Sequence, residues 1–205
     1  MLTIGFVSGM YVANDSMLTS ADEGVSKYKQ EDGHFELKDK ADSELVTAIE
    51  SGEVKTAPDK KDSDSSKTPV TLYENFYRNE DEDYDADGKK DGTIRVYTKT
   101  GDINLACLIE GSFPQNENEI AVDRMHADNV GMKVGDTIKV SGKEFKVSGL
   151  IAYVNYSTLH EKKTDMMFDA IKFDVAMVTK EALTALTRAF TIHMHGNTRM
   201  SRLTT

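Results

Sequence analysis

The segment from Asn118 to Tyr153 constrains the fold of this chain more than any other part. Ile120 and Val122 alternate with polar neighbours, which predicts a short strand, and residues 123–130 can cap and form a brief helix. Ser141-Gly142 then separates two alternating apolar runs, as in a two-residue β-hairpin. The pattern therefore predicts strand, helix and hairpin in succession, and it contains no arrangement of residues typical of catalysis.

Composition limits the classes of protein to which the chain can belong. It has 205 residues, of which 39% are hydrophobic, and a mean hydropathy of −0.48, which favours a folded body outside the membrane over a bundle of spanning helices. The 35 acidic residues outnumber the 25 basic ones, and a net charge of −10 argues against nucleic acid as a partner. Cys107 is the only cysteine, so an intrachain disulfide is excluded, and its apolar neighbours indicate a core residue rather than a nucleophile.

The remaining segments alternate between helix-like and strand-like patterns, which predicts an α+β fold. We expect helices from Asp15 or Ser16 onward, from Asp42 onward and over residues 180–190, and strands over residues 35–37, 53–57, 70–77, 93–98, 103–109 and 174–178. In the hairpin, we expect Val140, Phe145 and Val147 to face a common core. The hairpin is then a stability element rather than a site.

The succession of an NEIAV strand, a short helix, a VGD turn and a V-S-G-K-x-F-x-V-x-G hairpin resembles the extracytoplasmic core domain of FtsX/MacB-type ABC transporter permeases. Residues 156–159 (YSTL) and 165–169 (DMMFD) resemble a Gram-positive, clostridial branch of that family. Near the start of the chain, IGFVSGMYVANDSM resembles the outer end of the family's first transmembrane helix. The resemblance covers about residues 1–186 and is strongest over residues 104–178.

The resemblance implies a porter-like subdomain of β-α-β units that carries a small β-rich insertion, called the sabre, mostly within residues 69–155. It also implies that residues 1–13 are the outer end of a truncated transmembrane helix, residues 14–190 the core domain and residues 191–205 a divergent C-terminal tail. Taken alone, residues 1–13 are as consistent with a buried first helix or strand, because a membrane span needs about 20 apolar residues.

An acid-rich loop is the one local motif that suggests a ligand. Asp83, Asp85 and Asp87 alternate with other residues, and Asp91, four residues further on, could also be a ligand. The first three, followed by Gly88, match the start of a calcium-binding loop, in which alternate carboxylates converge. The second half departs from that motif, because Lys90 stands at position eight and Ile94 at position twelve, where a bidentate Glu is expected. A solvated acidic hairpin tip is therefore favoured over a calcium site.

Other constellations indicate neither catalysis nor a bound cofactor. His193 and His195 lie close in sequence, but no further zinc ligands are near them, which favours a surface pair. No G-x-S-x-G nucleophile motif is present. The nearest imitation of a phosphate-binding loop, residues 135–143, has the wrong glycine spacing, and Glu144 follows it where Ser or Thr is needed. We therefore assign no catalytic, cofactor-binding or metal-binding residue and predict that the chain is not an enzyme.

The resemblance implies a non-catalytic domain that couples ATP-driven motion of transmembrane helices to export or signalling outside the membrane. It implies a separate ABC ATPase subunit and a second permease copy or half as partners, attachment to the cell membrane through the N-terminal helix, and an extracytoplasmic position. Residues 166–168 (MMF) are expected to fill the core, the alternative being contact with the second permease half or with a substrate. The alternative function is a secreted calcium-binding interaction module that uses the acid-rich loop.

Overall fold

A computed structural model describes residues 12, 15–19, 22–35, 41–51, 70–156, 159–161 and 165–186. Its helices are α1 (Ser43–Glu50), α2 (Arg124–Val130) and α3 (Lys180–Ala185), and residues 15–19 and 22–27 are also helical. Its strands are β1 (Tyr77–Asp83), β2 (Gly92–Thr98), β3 (Ala106–Gly111), β4 (Glu119–Asp123), β5 (Thr137–Val140), β6 (Lys143–Tyr153) and β7 (Phe173–Val178). Helices and a mixed seven-stranded sheet confirm the predicted α+β class.

The sheet closes on itself. The strands follow the order β3-β6-β4-β7-β2-β1-β5, and β5 also pairs with β6, so that six strands form a ring and β3 lies outside it. Pairings β4–β6 and β2–β7 are parallel, and the other pairings in the ring are antiparallel. A closed ring has no free edge strands and fixes one set of side chains in its interior.

Strand β6 is shared by the ring and the extra strand. Residues 143–146 pair with β5, whereas residues 149–153 pair with β3, and β4 runs along the opposite edge. The register against β4 shifts by one residue between Val147 and Gly149, as in a β-bulge, which bends the strand between its two partners. A Cβ atom at Gly149 would lie 2.5 Å from the carbonyl oxygen of Ser112, so only glycine fits where the backbones approach.

The interior of the ring is the main hydrophobic core. Val140, Phe145 and Val147 all belong to this buried cluster, which confirms that the hairpin faces a common core. Phe145 is 1% exposed and is among the largest fully buried side chains. Other members of the cluster are Ile94, Val96, Ile120, Val122, Ile138, Ala176 and Val178. The hairpin therefore stabilises the barrel, as its apolar alternation predicts.

Local signals account for the short helices. Asp123 caps α2, because its side chain accepts a hydrogen bond from the Met125 N–H, and Gly131 ends the helix with a left-handed φ of 77°. Asp42 caps α1 in the same way, as predicted, by accepting from the Leu45 N–H. Among the residues that the structure describes, no helix combines the length and apolar character needed to cross a membrane.

Some predicted boundaries are wrong. Residues 70–76 form no strand, and β1 instead comprises the acid-rich segment Tyr77–Asp83. The strand predicted at residues 103–109 begins at Ala106. Of the strand predicted at residues 35–37, only Phe35 is described, and it is not in a strand. Residues 1–11, 36–40, 52–69 and 187–205 lie outside the described residues, and with them the predicted transmembrane stub, the strand at 53–57, the loop after it and the tail. The division into porter-like and sabre-like parts stays a prediction.

Candidate functional site

Strand β1 carries charged side chains into the barrel. Glu80 pairs with Ile94, and Glu82 pairs with Gly92 and Val140, and directly paired residues of an antiparallel ladder share one face of the sheet. Because Ile94 and Val140 belong to the core, Glu80 and Glu82 point inward, and they are 1% and 0% exposed. The hydroxyl group of Ser141 donates to Glu80 at 2.5 Å. One strand of an otherwise apolar ring is therefore acidic on its inner side.

Glu82 meets two other buried polar residues, His126 and Asp174, that come from distant parts of the chain. Glu82 lies near the end of β1, His126 in the first turn of α2 and Asp174 near the start of β7. Each is 0% exposed, and one ligand atom of each lies within 4.8 Å of the other two. The Nε2 atom of His126 is 3.3 Å from Oε1 of Glu82, an ion-pair distance without hydrogen-bond geometry. We call these three residues the buried triad.

Hydrogen bonds orient two members of the buried triad. The Nδ1 atom of His126 is 2.8 Å from the carbonyl oxygen of Ala170, which assigns the proton to Nδ1. The Oδ1 atom of Asp174 accepts from the backbone N–H of Val175 at 2.6 Å and of Asp123 at 3.2 Å. Both carboxylate oxygens of Glu82, Oδ2 of Asp174 and Nε2 of His126 have no hydrogen-bond partner. Four buried polar atoms are thus left to face one another.

The pKa values of two members of the triad, His126 and Asp174, are raised above their ordinary values. Burial lowers the pKa of His126, but the negative charges of Asp174 and Glu82 outweigh burial and raise the pKa from 6.5 to about 9. Burial raises the pKa of Asp174 well above its ordinary value, although the charge of His126 opposes that shift. Chemically, the cluster can hold a proton or another cation away from water.

The acid-rich loop lies beside the triad and brings three of its four predicted aspartates together. Ligand atoms of Asp83, Asp85 and Asp91 lie within 4.8 Å of one another. Asp87 is not part of this group, because it forms an ion pair of 2.6 Å with Lys89, whose hydrogen bond lowers the pKa of Asp87. One oxygen of Asp83 accepts from the Gly88 N–H at 2.8 Å, so the loop uses its carboxylates to hold its own backbone. The acid-rich loop is thus the tip of the β1–β2 hairpin, and the preference for a solvated tip over a calcium site stays a prediction.

A pocket of about 430 Å³ separates this loop from the β5–β6 turn. Asp81, Glu82 and Asp83 of β1 line one side, and Lys90 and Lys139 line another. Lys90 is paired with Asp81 at 2.8 Å, and the ammonium group of Lys139 donates to the carbonyl oxygen of Ala86 at 2.8 Å. Glu82 therefore borders both the pocket and the buried triad.

The two segments YSTL and DMMFD, which carry part of the family resemblance, differ in how closely they pack against the barrel. Tyr156, the start of YSTL, is held against β2, because its hydroxyl accepts from Arg95 at 3.0 Å and lies 2.7 Å from the Tyr97 hydroxyl. Met166 is 98% and Met167 84% exposed, so the prediction that residues 166–168 fill the core is wrong. Phe168 is 50% exposed, so all three residues of this segment lie at the surface.

Sequence reasoning missed the buried triad, because the three residues share no local motif. Cys107, predicted in the core, is only partly buried, and the Tyr28 hydroxyl lies 2.9 Å from its sulfur atom. His193 and His195 lie outside the described residues. A signal did exist for Asp174, since a single acidic residue in the buried strand FDVAMV is unusual.

No protein-family model matches the chain, and no curated protein matches it. Among solved structures, it is similar to the crystal structure of the extracellular domain of the noncanonic ABC-type transporter YknZ from Gram-positive bacteria. The two are 10% identical with a TM-score of 0.41, and the match covers 88% of this chain and 80% of that one. This likeness is distant and concerns the fold alone.

Proposed function

We propose that this chain is a non-catalytic extracytoplasmic domain of an FtsX/MacB-like ABC transporter permease. In this role it couples ATP-driven motion of transmembrane helices to export or signalling outside the membrane. The observation that carries the proposal is the segment from Asn118 to Tyr153, whose residue order resembles that family. The segment folds as the strand, helix and hairpin that the resemblance implies, since β4, α2, β5 and β6 follow one another within it.

A mechanical role suits a closed barrel. Ladder hydrogen bonds run around the whole ring, and β6 is bonded along both edges, so a displacement applied at one end moves the body as a unit. Coupling of this kind requires two states of an assembly rather than a reactive group in the domain. Glu82, His126 and Asp174 are 0% exposed, which agrees with a role in the fold of the domain rather than in chemistry on a substrate.

The proposed partners are a separate ABC ATPase subunit and a second permease copy or half. The exposure of Met166 and Met167 favours contact with that second half, or with a substrate, over a place in the core. The proposed location is the extracytoplasmic face of the cell membrane, with attachment through the N-terminal residues 1–13.

The coupling role is tested in an assembly in which the chain is joined to membrane helices and a partner ATPase. Residues 14–190 are replaced by a short Gly/Ser linker, and transport or signalling is measured beside ATP hydrolysis. We expect the exported or signalling activity to be lost while basal ATP hydrolysis persists. Glu144→Ala, a change at an exposed position of β6, is the control and should retain both activities. Unchanged export after the replacement would contradict the proposal.

The location is tested with a single introduced thiol. In a Cys107→Ser background, which removes the only native cysteine, Glu144→Cys supplies an exposed thiol on β6. In intact cells, a membrane-impermeant maleimide should label this thiol as fast as it labels the purified chain. Labelling that requires cell lysis would place the domain on the other side of the membrane.

A further inference from the structure

We infer that Glu82, His126 and Asp174 form a binding site for a divalent transition-metal ion, for which Zn²⁺ is the appropriate probe. One imidazole nitrogen and two carboxylates are a donor set that zinc and its neighbours accept. Ca²⁺ and Mg²⁺ bind oxygen ligands almost exclusively, so the nitrogen of His126 disfavours them. The site goes beyond the proposed transporter role and is independent of it.

The spacing of the donor atoms suits such an ion. Bonds of 2.0–2.2 Å to a tetrahedral centre put neighbouring ligand atoms about 3.3–3.6 Å apart. The contact between His126 Nε2 and Glu82 Oε1 is 3.3 Å, so one edge of the tetrahedron is already present. The third donor, from Asp174, lies within 4.8 Å of the other two, so its separation exceeds the tetrahedral edge by about 1 Å at most, which a small side-chain adjustment removes.

The groups that hydrogen-bond to the triad resemble those that hold metal ligands in place in known metal sites. Metal-binding histidines usually donate their second ring N–H to a carbonyl or carboxylate, as His126 does to Ala170 at 2.8 Å. Asp174 is held through Oδ1 by two backbone N–H groups, which leaves Oδ2 without a partner. These contacts fix two donors while their remaining lone pairs stay unused.

A buried ion pair explains the geometry less completely. In that alternative, protonated His126 faces ionised Glu82, and a proton resides on Asp174. Both oxygens of Glu82 would nevertheless remain without a hydrogen bond at a position that is 0% exposed. Isolated buried carboxylate oxygens are costly and rare, whereas a cation of charge two neutralises two carboxylates at once.

An ion at this position would join three elements that are far apart in the sequence. The ligands come from β1, α2 and β7, and β1 is the strand that closes the ring through its short pairing with β5. Because the ion would bind the folded chain and not the unfolded chain, it should raise the melting temperature. At a free Zn²⁺ concentration of 100 Kd, we expect a rise of about 5–10 °C for a chain of this size.

The test uses the full chain, freed of metal with EDTA and refolded from urea with and without one equivalent of Zn²⁺. Refolding is included because the triad is 0% exposed, although Glu82 borders the surface pocket. After gel filtration, elemental analysis should find about one zinc ion per chain, and calorimetry should show a rise in melting temperature that EDTA reverses. After refolding with Ca²⁺ in place of Zn²⁺, elemental analysis should find no comparable amount of metal bound at the triad.

Two sets of variants identify the ligands. Glu82→Gln and Asp174→Asn keep the shape of each side chain and should abolish retention of zinc. A matched control variant combines Asp85→Asn with His193→Asn and His195→Asn, and it should still retain one zinc ion. This control removes the acid-rich loop and the C-terminal histidines as sources of binding.

Three results would overturn the inference. They are the absence of retained zinc in the unmodified chain, its retention by Glu82→Gln and Asp174→Asn, and its loss from the control variant. If the two triad variants do not fold by circular dichroism, Co²⁺ binding to the unmodified chain replaces them. Tetrahedral d–d absorption that Zn²⁺ displaces would support the site, and its absence would reject it.

Discussion

Phe145→Ala tests whether the closed barrel is the stabilising core. A buried phenylalanine removes about 150–250 Å² from water, which at about 25 cal/mol per Å² corresponds to about 4–6 kcal/mol as an upper value. Alanine retains part of that burial, but the cavity adds to the loss, and substitutions of this kind cost about 3–5 kcal/mol. Phe145 is 1% exposed inside a ring whose strands are hydrogen-bonded on both sides, so the walls cannot collapse freely. We therefore expect the full range of about 3–5 kcal/mol.

Urea unfolding followed by circular dichroism measures this free-energy change at constant m-value. For a chain of this size, the same loss lowers the melting temperature by about 6–20 °C. Glu144→Ala is the matched control, because Glu144 adjoins Phe145 on β6 but is exposed on the outer face. The control should change the free energy of unfolding by less than about 0.5 kcal/mol.

A loss below about 1 kcal/mol for Phe145→Ala would refute the reasoning, because the ring interior could then not be the core. An equal loss for Glu144→Ala would refute it in a second way. In that case the strand itself, rather than the inward side chain, would determine stability.

Three further outcomes follow from particular contacts. Gly149→Ala should destabilise the chain by about 1–3 kcal/mol in urea unfolding, because the new Cβ would lie 2.5 Å from the Ser112 carbonyl oxygen, whereas Gly101→Ala, with open space around it, should be close to neutral. Arg95→Met should cost about 2–3 kcal/mol in the same assay, since it removes a charged hydrogen bond of 3.0 Å to Tyr156, and Arg95→Lys should recover less than half of that loss. Titration calorimetry of the chain with ATP and Mg²⁺ should show no binding, because residues 135–144 lack the spacing of a phosphate-binding loop, and a micromolar affinity would contradict this.

The sequence by itself determined the elements whose signals are local. Ser141 and Gly142 both adopt positive φ angles, 47° and 81°, as a tight hairpin turn requires, and the dipeptide predicts that turn directly. Asp123 and Gly131 mark the two ends of α2 by capping interactions within a few residues. The alternation of apolar residues around Phe145 identifies its inward face in the same way.

Only the tertiary structure decided that Tyr77–Asp83 forms strand β1 and where the triad lies. The sequence YRNEDED has the composition of a loop, and it becomes a strand because β2 and β5 supply its hydrogen-bond partners. The side chains of Glu82, His126 and Asp174 meet because the ring closes between elements that are distant in the chain. Local propensity acts over a few residues, whereas closure depends on which strands pair. No short-range pattern could therefore show that these three polar groups would share a buried end of the barrel.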